Sequence, residues 1–375
     1  TEKITKTALL PYALQSATEK LQTSKEVRQA LEQLYGTTLS VDLAKKGDHH
    51  IILFRMELGH QKFLAENVDI VEKGIALLSD VLLRPKGYTD KAFDSNIVRK
   101  EKRNLKQKIE AIYDDKIRYA NMRLIQAMFD DDPYSQSVYG NKESIDTIDE
   151  KNLFAYYEQA LHEDSLDFYI VGDVTKEDIL PLIKKYFVLP TERKETEHRE
   201  TQMMQGKLNI GYRTNVQFQD EDYPALQVFN GIFGGFSHSK LFINVREKES
   251  LAYYASSLIE SHKGLLIVMS GIDSTNYDLT VKIINEQMHK MKQGEFTQDE
   301  FLQTKTMLIN QILESLDEPR GIVNLYYNEI IANVTLTIDE VIQRIENVTR
   351  EDVINVANKI EQDTIYFLKG KEETN

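Results

Sequence analysis

The chain repeats itself in order, and that repetition constrains its fold more than any single motif. Residues 39–57 (LSVDLAKKGDHHIILFRME) alternate apolar and polar side chains on either side of Lys45-Lys46-Gly47-Asp48. That period, with a glycine at the reversal, reads as two strands of a hairpin. Residues 251–270 (LAYYASSLIESHKGLLIVMS) do the same about His262-Lys263-Gly264. A helix-rich block follows each hairpin: YTDKAFDSNIVRKEKRNLKQKIEAI (88–112) parallels FTQDEFLQTKTMLINQILESL (296–316). Thr89-Asp90 and Thr297-Gln298 supply similar helix starts ahead of repeated apolar positions. Each half then closes with a helix and a mainly apolar strand, over 145–173 and 336–370. The pattern predicts an α+β fold built from a duplicated unit of roughly 190 residues. Each copy would be a mostly antiparallel sheet packed against helices. The stretch PTERKETEHRETQMMQG (190–206) is charged and lacks apolar periodicity, which is how a linker reads. The expected domains are therefore 1–190 and 207–375, joined by a linker over 191–206.

Composition narrows the class of partner. Apolar residues make up 41%, enough for two large cores, and 60 Asp and Glu outweigh 46 Lys and Arg to leave −14. That balance disfavours a nucleic-acid backbone or an anionic membrane as the main partner. There is no cysteine, so disulfides, thiolate metal sites and a thiol nucleophile are all excluded. No run approaches the roughly 18 apolar residues that cross a bilayer. With no basic-then-apolar leader in view, the bacterial cytoplasm is the expected location.

A survey for catalytic constellations finds little. The histidines are His49, His50, His60, His162, His198, His238, His262 and His289, and none stands in an HxxxH or HxxEH spacing. Either spacing would put two imidazoles on one helical face for zinc. His49 and His50 are strand neighbours that point to opposite sides and so cannot chelate together. There is no GxSxG elbow and no Walker loop, and Gly231-Ile232-Phe233-Gly234-Gly235 lacks the ending a phosphate loop needs.

The segment GIFGGFSHSKLFINVREKESLAYYASS (231–257) resembles the C-terminal half of the pitrilysin/insulinase peptidases, the inverzincins, which include mitochondrial processing peptidase. That family reads there as a Gly-rich turn, S-x-L-F and then R-E-x-x-G-L-A-Y. The duplicated order and the helix carrying Glu101 extend the resemblance over nearly the whole chain. It implies a clam of two homologous domains of the LuxS and processing-peptidase kind. Active members carry HxxEH, whose histidines bind zinc and whose Glu deprotonates the zinc water. Counting back from Gly36 places that motif over Leu10-Pro11-Tyr12-Ala13-Leu14. Both imidazoles become leucine and the base becomes Ala13. A further ligand stands seven residues, about two turns, beyond a glutamate; here that pair is Glu101 and Lys108. An ammonium cannot ligate a dication. The resemblance thus implies no metal, no cofactor and no catalytic residue in this chain. The plainer reading makes Leu9, Leu10, Ala13 and Leu14 core residues of an amphipathic helix, with Glu101 and Lys108 solvated or paired to each other.

Arg246 and Tyr253 keep the family's spacing of an Arg and a Tyr that bind substrate and stabilise the oxyanion, although Ser250 stands where glycine is usual. The plainer reading is a surface arginine paired with a neighbouring Glu and a core tyrosine. Some members of the family work in pairs, one subunit holding zinc and the other lacking it. The expectation is therefore a non-catalytic subunit that binds peptide in a heterodimer with a zinc-bearing homologue, or a homodimer when alone. It would be active only with an HxxEH-bearing partner. A stand-alone peptide-binding scaffold is the alternative, and an active zinc protease a third. The family also places about two strands before the motif helix, on which this sequence opens almost directly; if those strands are missing, an exposed sheet edge prone to self-pairing is expected.

Overall fold

A computed structural model describes residues 2–59, 69–129, 132–189, 208–249, 251–272 and 276–368. The expected linker and His60, His198 and Ser250 lie outside these residues. By their internal contacts the residues form two compact units, 1–45 with 50–114 and 136–198, and 46–49 with 115–135 and 199–375. The segments 46–49 and 115–135 thus group with the second unit although they precede the expected boundary at 190.

In the first unit, α1 (Glu2–Ser16) is the central element. It packs against α2 (Ser24–Gln33), α3 (Ile70–Leu83), α4 (Ser95–Asp114), α6 (Lys142–Thr147) and α7 (Glu150–Glu163). A helix met from so many sides must be apolar nearly all round, and nine of its residues, from Thr5 to Ser16, are buried. The expected amphipathic helix is therefore a core helix. The hairpin forms as read, from β1 (Thr38–Lys46) and β2 (His49–Glu57), turning at Gly47 with φ of +53°. The start of α4 differs from expectation. Thr89-Asp90 lies in a turn, and Asp94 begins the helix by accepting from the amides of Asn96 and Ile97. Proximity of a side-chain acceptor to the first turn outweighs the earlier Thr-Asp pair. α8 (Lys176–Tyr186) follows the stretch 165–171. That stretch, expected as a strand, takes no strand structure, and Leu166, Phe168, Ile170 and Val171 are exposed. Strand propensity alone does not make a strand without a neighbour to exchange backbone hydrogen bonds with.

The second unit is a four-stranded antiparallel sheet ordered β4-β5-β3-β6: β4 (Ala252–Glu260), β5 (Leu265–Ile272), β3 (Leu208–Arg213) and β6 (Glu361–Tyr366). β5 is buried on both faces, which explains its unbroken apolar run LLIVM. Leu266 and Val268 enter a core shared with α9 (Tyr223–Asn230), α10 (Tyr277–Lys292), α11 (Gln298–Leu316), α13 (Ile338–Asn347) and α14 (Arg350–Lys359). Leu265 and Ile267 face the other way, onto α5 (Lys116–Met128). Gly211 in β3 makes that second layer possible, since a Cβ there would stand 2.1 Å from the Met128 sulfur. α12 (Pro319–Ala332) packs beside α11, whose start at Thr297 is a full capping box with Glu300.

Candidate functional site

Two groups of residues carry the functional question, one in each unit. In the first unit the predicted metal positions divide between core and surface. Leu10, Ala13 and Leu14 are 3%, 1% and 3% exposed and belong to the main core of that unit. Each leucine gains about 2 kcal/mol from leaving water, and none of the three side chains carries a donor atom. Glu101 is buried, and a buried carboxylate must be matched. Lys100 Nζ lies 2.8 Å from it, Asn104 Nδ2 donates at 2.9 Å, and Ser16 Oγ donates from α1 at 3.4 Å.

Lys108, two turns further along α4, is exposed and does not pair with Glu101. Its ammonium sits 3.7 Å from the centre of the Tyr12 ring, a close cation–π contact. The expectation that Glu101 and Lys108 are solvated or mutually paired is corrected for Glu101, which is buried and matched by other partners, while Lys108 is exposed. Between α1 and α4 the same side chains edge a concavity of about 400 Å³. Tyr12 was visible only as an intervening residue of the lost motif; its place beside Lys108 follows from the packing of α1 on α4. Among the described residues no three His, Cys, Asp or Glu side chains converge on a point. The zinc that active members of the family hold does not fit these residues, and no catalytic step through a metal follows from them.

In the second unit the glycine-rich segment is not a turn. Gly231–Gly235 continues α9 as a wide, π-type helical turn, and Phe242–Lys248 forms another. Such π-type turns concentrate at functional sites. The glycines let the first of them press on β4, with Ser257 Oγ donating to Asn230 Oδ1 at 2.7 Å. A Cβ on Gly234 would meet that Ser257 Oγ at 2.4 Å. Arg246 projects from the second wide turn, anchored by buried Val245, and its guanidinium lies over the Phe242 ring at 4.6 Å. Tyr253, expected in the core by the plainer reading, is 89% exposed on β4, the outer strand of the sheet. A register shift between Ala252 and Ala255 explains this: it breaks the alternation so that both alanines are buried and Tyr253, inside the irregularity, turns outward. An exposed tyrosine and an exposed arginine offer hydrogen-bond donors to a ligand.

His49 is exposed and His50 half-buried, on neighbouring positions of β2. Burial, and then the Lys45 charge, push the His50 imidazole down to about 4. It is neutral at pH 7 and structural. No helix among the described residues is long and apolar enough to cross a membrane.

An α+β fold of peptidase type, in a sequence without the HxxEH motif, defines the class: a metallopeptidase homologue. Comparison with known proteins agrees. The Peptidase M16 inactive domain family matches residues 147–308. The probable inactive metalloprotease YmfF of Bacillus subtilis is 47% identical over 387 aligned positions, covering 99% of this chain and 90% of YmfF. A solved structure of a conserved protein from Enterococcus faecalis superposes with a TM-score of 0.89 at 31% identity, covering 100% of this chain and 91% of that one. The antilisterial bacteriocin subtilosin biosynthesis protein AlbE of Bacillus subtilis is 25% identical, over 76% of each chain. The chain belongs to the M16 peptidase family, as a member without the HxxEH motif.

Proposed function

We propose that the chain is the non-catalytic subunit of a heteromeric peptide-processing metallopeptidase, binding peptide while a zinc-bearing homologue cuts it. One observation carries this reading. The metal positions Leu10, Ala13 and Leu14 are absorbed into a core, while Arg246 and Tyr253 stay exposed. Both side chains keep hydrogen-bond donors where a bound peptide can meet them. The relative named for bacteriocin biosynthesis supports a role beside peptide maturation. Like its partner, the chain would work in the bacterial cytoplasm.

The test is to mix the purified chain with an HxxEH-bearing homologue from the same organism and follow cleavage of a fluorogenic peptide. Hydrolysis rises on mixing, and Arg246→Ala removes the rise. No change on mixing sinks the idea. A second reading, a peptide-binding scaffold with no part in proteolysis, is favoured by β4 as the outer strand of its sheet. Such an edge can add an extended peptide as a further strand. Under that reading, peptide binding measured by calorimetry survives replacement of both Arg246 and Tyr253.

A further inference from the structure

The concavity between α1 and α4 carries two of the degenerate metal positions, Glu101 and Lys108, but its charge does not suit a metal. Its only unpaired charge has the opposite sign from that of a metal-binding pocket. Glu101 at its edge is matched by Lys100, Asn104 and Ser16, so its carboxylate is already spoken for. Lys108 is held by the Tyr12 ring at 3.7 Å, and no carboxylate among the described residues lies within ion-pair distance of it. A ring face attracts an ammonium without neutralising it. It also occupies one side only, so the remaining N–H groups are left to point into the cavity.

We infer that this cavity binds the C-terminal carboxylate of a peptide, with Lys108 as its counter-ion. Three features of the wall select that ligand. Asn104 and Gln107 stand four residues and one residue before Lys108 on α4, and Asn104 and Lys108 share a helical face. With Asn104 Nδ2 engaged on Glu101, its Oδ1 can accept from the last peptide N–H, and the Gln107 amide can donate to the second carboxylate oxygen. Ala111 adds exposed apolar surface for a final small apolar side chain, above Leu105, which is itself buried in the core. The volume, about 400 Å³, lies in the range that small ligands fill. One ammonium beside a buried Glu101 suits a monoanion. A phosphate group, which recruits arginine forks or clustered backbone amides, would find neither here.

The inference rests on the peptide-binding reading above and specifies which end of the peptide is held. It is tested on the chain alone, by fluorescence anisotropy with short labelled peptides ending in Leu, Phe or Ala. Each is made with a free C-terminal carboxylate and again as the amide. The free acid binds at least about tenfold more tightly, the equivalent of one charged hydrogen bond. Lys108→Met abolishes the difference between acid and amide, and Lys108→Arg retains most of it. Because Lys108 is exposed, neither variant disturbs the core. Equal binding of acid and amide overturns the inference. So does a preference that persists in Lys108→Met, or no binding of either form. A chain that discriminates acid from amide yet fails to stimulate a zinc-bearing homologue retains this site and loses the heteromeric role. Stimulation without discrimination does the reverse.

Discussion

At the scale of residues, the first unit holds a pH-sensitive group apart from its functional surface. His50 sits in β2 with Nε2 buried and without a partner among the described residues. Burial, then the charge of Lys45, lowers its pKa from 6.5 to about 4, against a backbone hydrogen bond with Val138 that raises it. The folded chain therefore refuses a proton that the unfolded chain accepts. The contribution to stability is complete above pH 6.5, falls as the pH drops through that value, and stops falling near 4. Its full span is about 3 kcal/mol, from the 1.36 kcal/mol that each pKa unit represents. Urea denaturation at about pH 7 and about pH 5 checks this, with His50→Gln expected to flatten that part of the slope. An unchanged slope in the variant assigns the effect elsewhere. The absence of donors at Leu10, Ala13 and Leu14 could be read from residue types alone. The matching of Glu101 by Ser16 and the seating of Lys108 on Tyr12 could not. They depend on the rotation of α1 about its axis, which the surrounding helices set.

Among the elements, the glycine-rich wide turn shows how far a local pattern carries. Gly231, Gly234 and Gly235 suggest a flexible turn, because glycine is the usual residue of reversals. Here they remain helical, and their use is to remove side-chain volume. A Cβ at Gly231 would stand 2.4 Å from Thr304 Cγ2, and one at Gly234 would stand 2.8 Å from the Ser257 backbone nitrogen. Backbone cannot step aside cheaply, so Gly234→Ala is expected to destabilise the second unit by about 1–3 kcal/mol, the usual cost of overpacking. Thermal melting followed by circular dichroism measures it, and a loss under about 0.5 kcal/mol would show that β4 is free to retreat. Elements with strong periodicity and a capping pair, such as α11 behind Thr297 and Glu300, form where the pattern puts them. The stretch 165–171 is the counter-example. It is richer in apolar residues than β6 (EQDTIY), but β6 has β3 beside it and 165–171 takes no strand structure.

For the whole molecule, an M16 fold with leucine and alanine at the predicted metal positions is expected to stand without zinc. Zinc binding to a native site raises the melting temperature, with about 2.7 kcal/mol of added stability at a hundredfold excess over Kd. This chain is expected to melt at the same temperature with and without zinc, and elemental analysis of purified protein to find far less than one zinc per chain. Stoichiometric zinc, or a zinc-dependent rise in melting temperature, would reinstate a metal site. The two hairpins and the lack of an HxxEH spacing were legible in the order of residues. Strand and helix periods, and the chemistry of Leu, Ala and Lys side chains, are local properties that no packing can alter. The two units interleave in a way the chain order hides, since α5 precedes the expected boundary yet closes the far face of the second sheet. Which side chains end up exposed, buried or stacked was likewise a matter for the tertiary structure. Tyr253 turned outward, Glu101 was enclosed and Lys108 came over Tyr12 because those outcomes depend on contacts between residues distant in sequence, and only the packed chain brings such residues together.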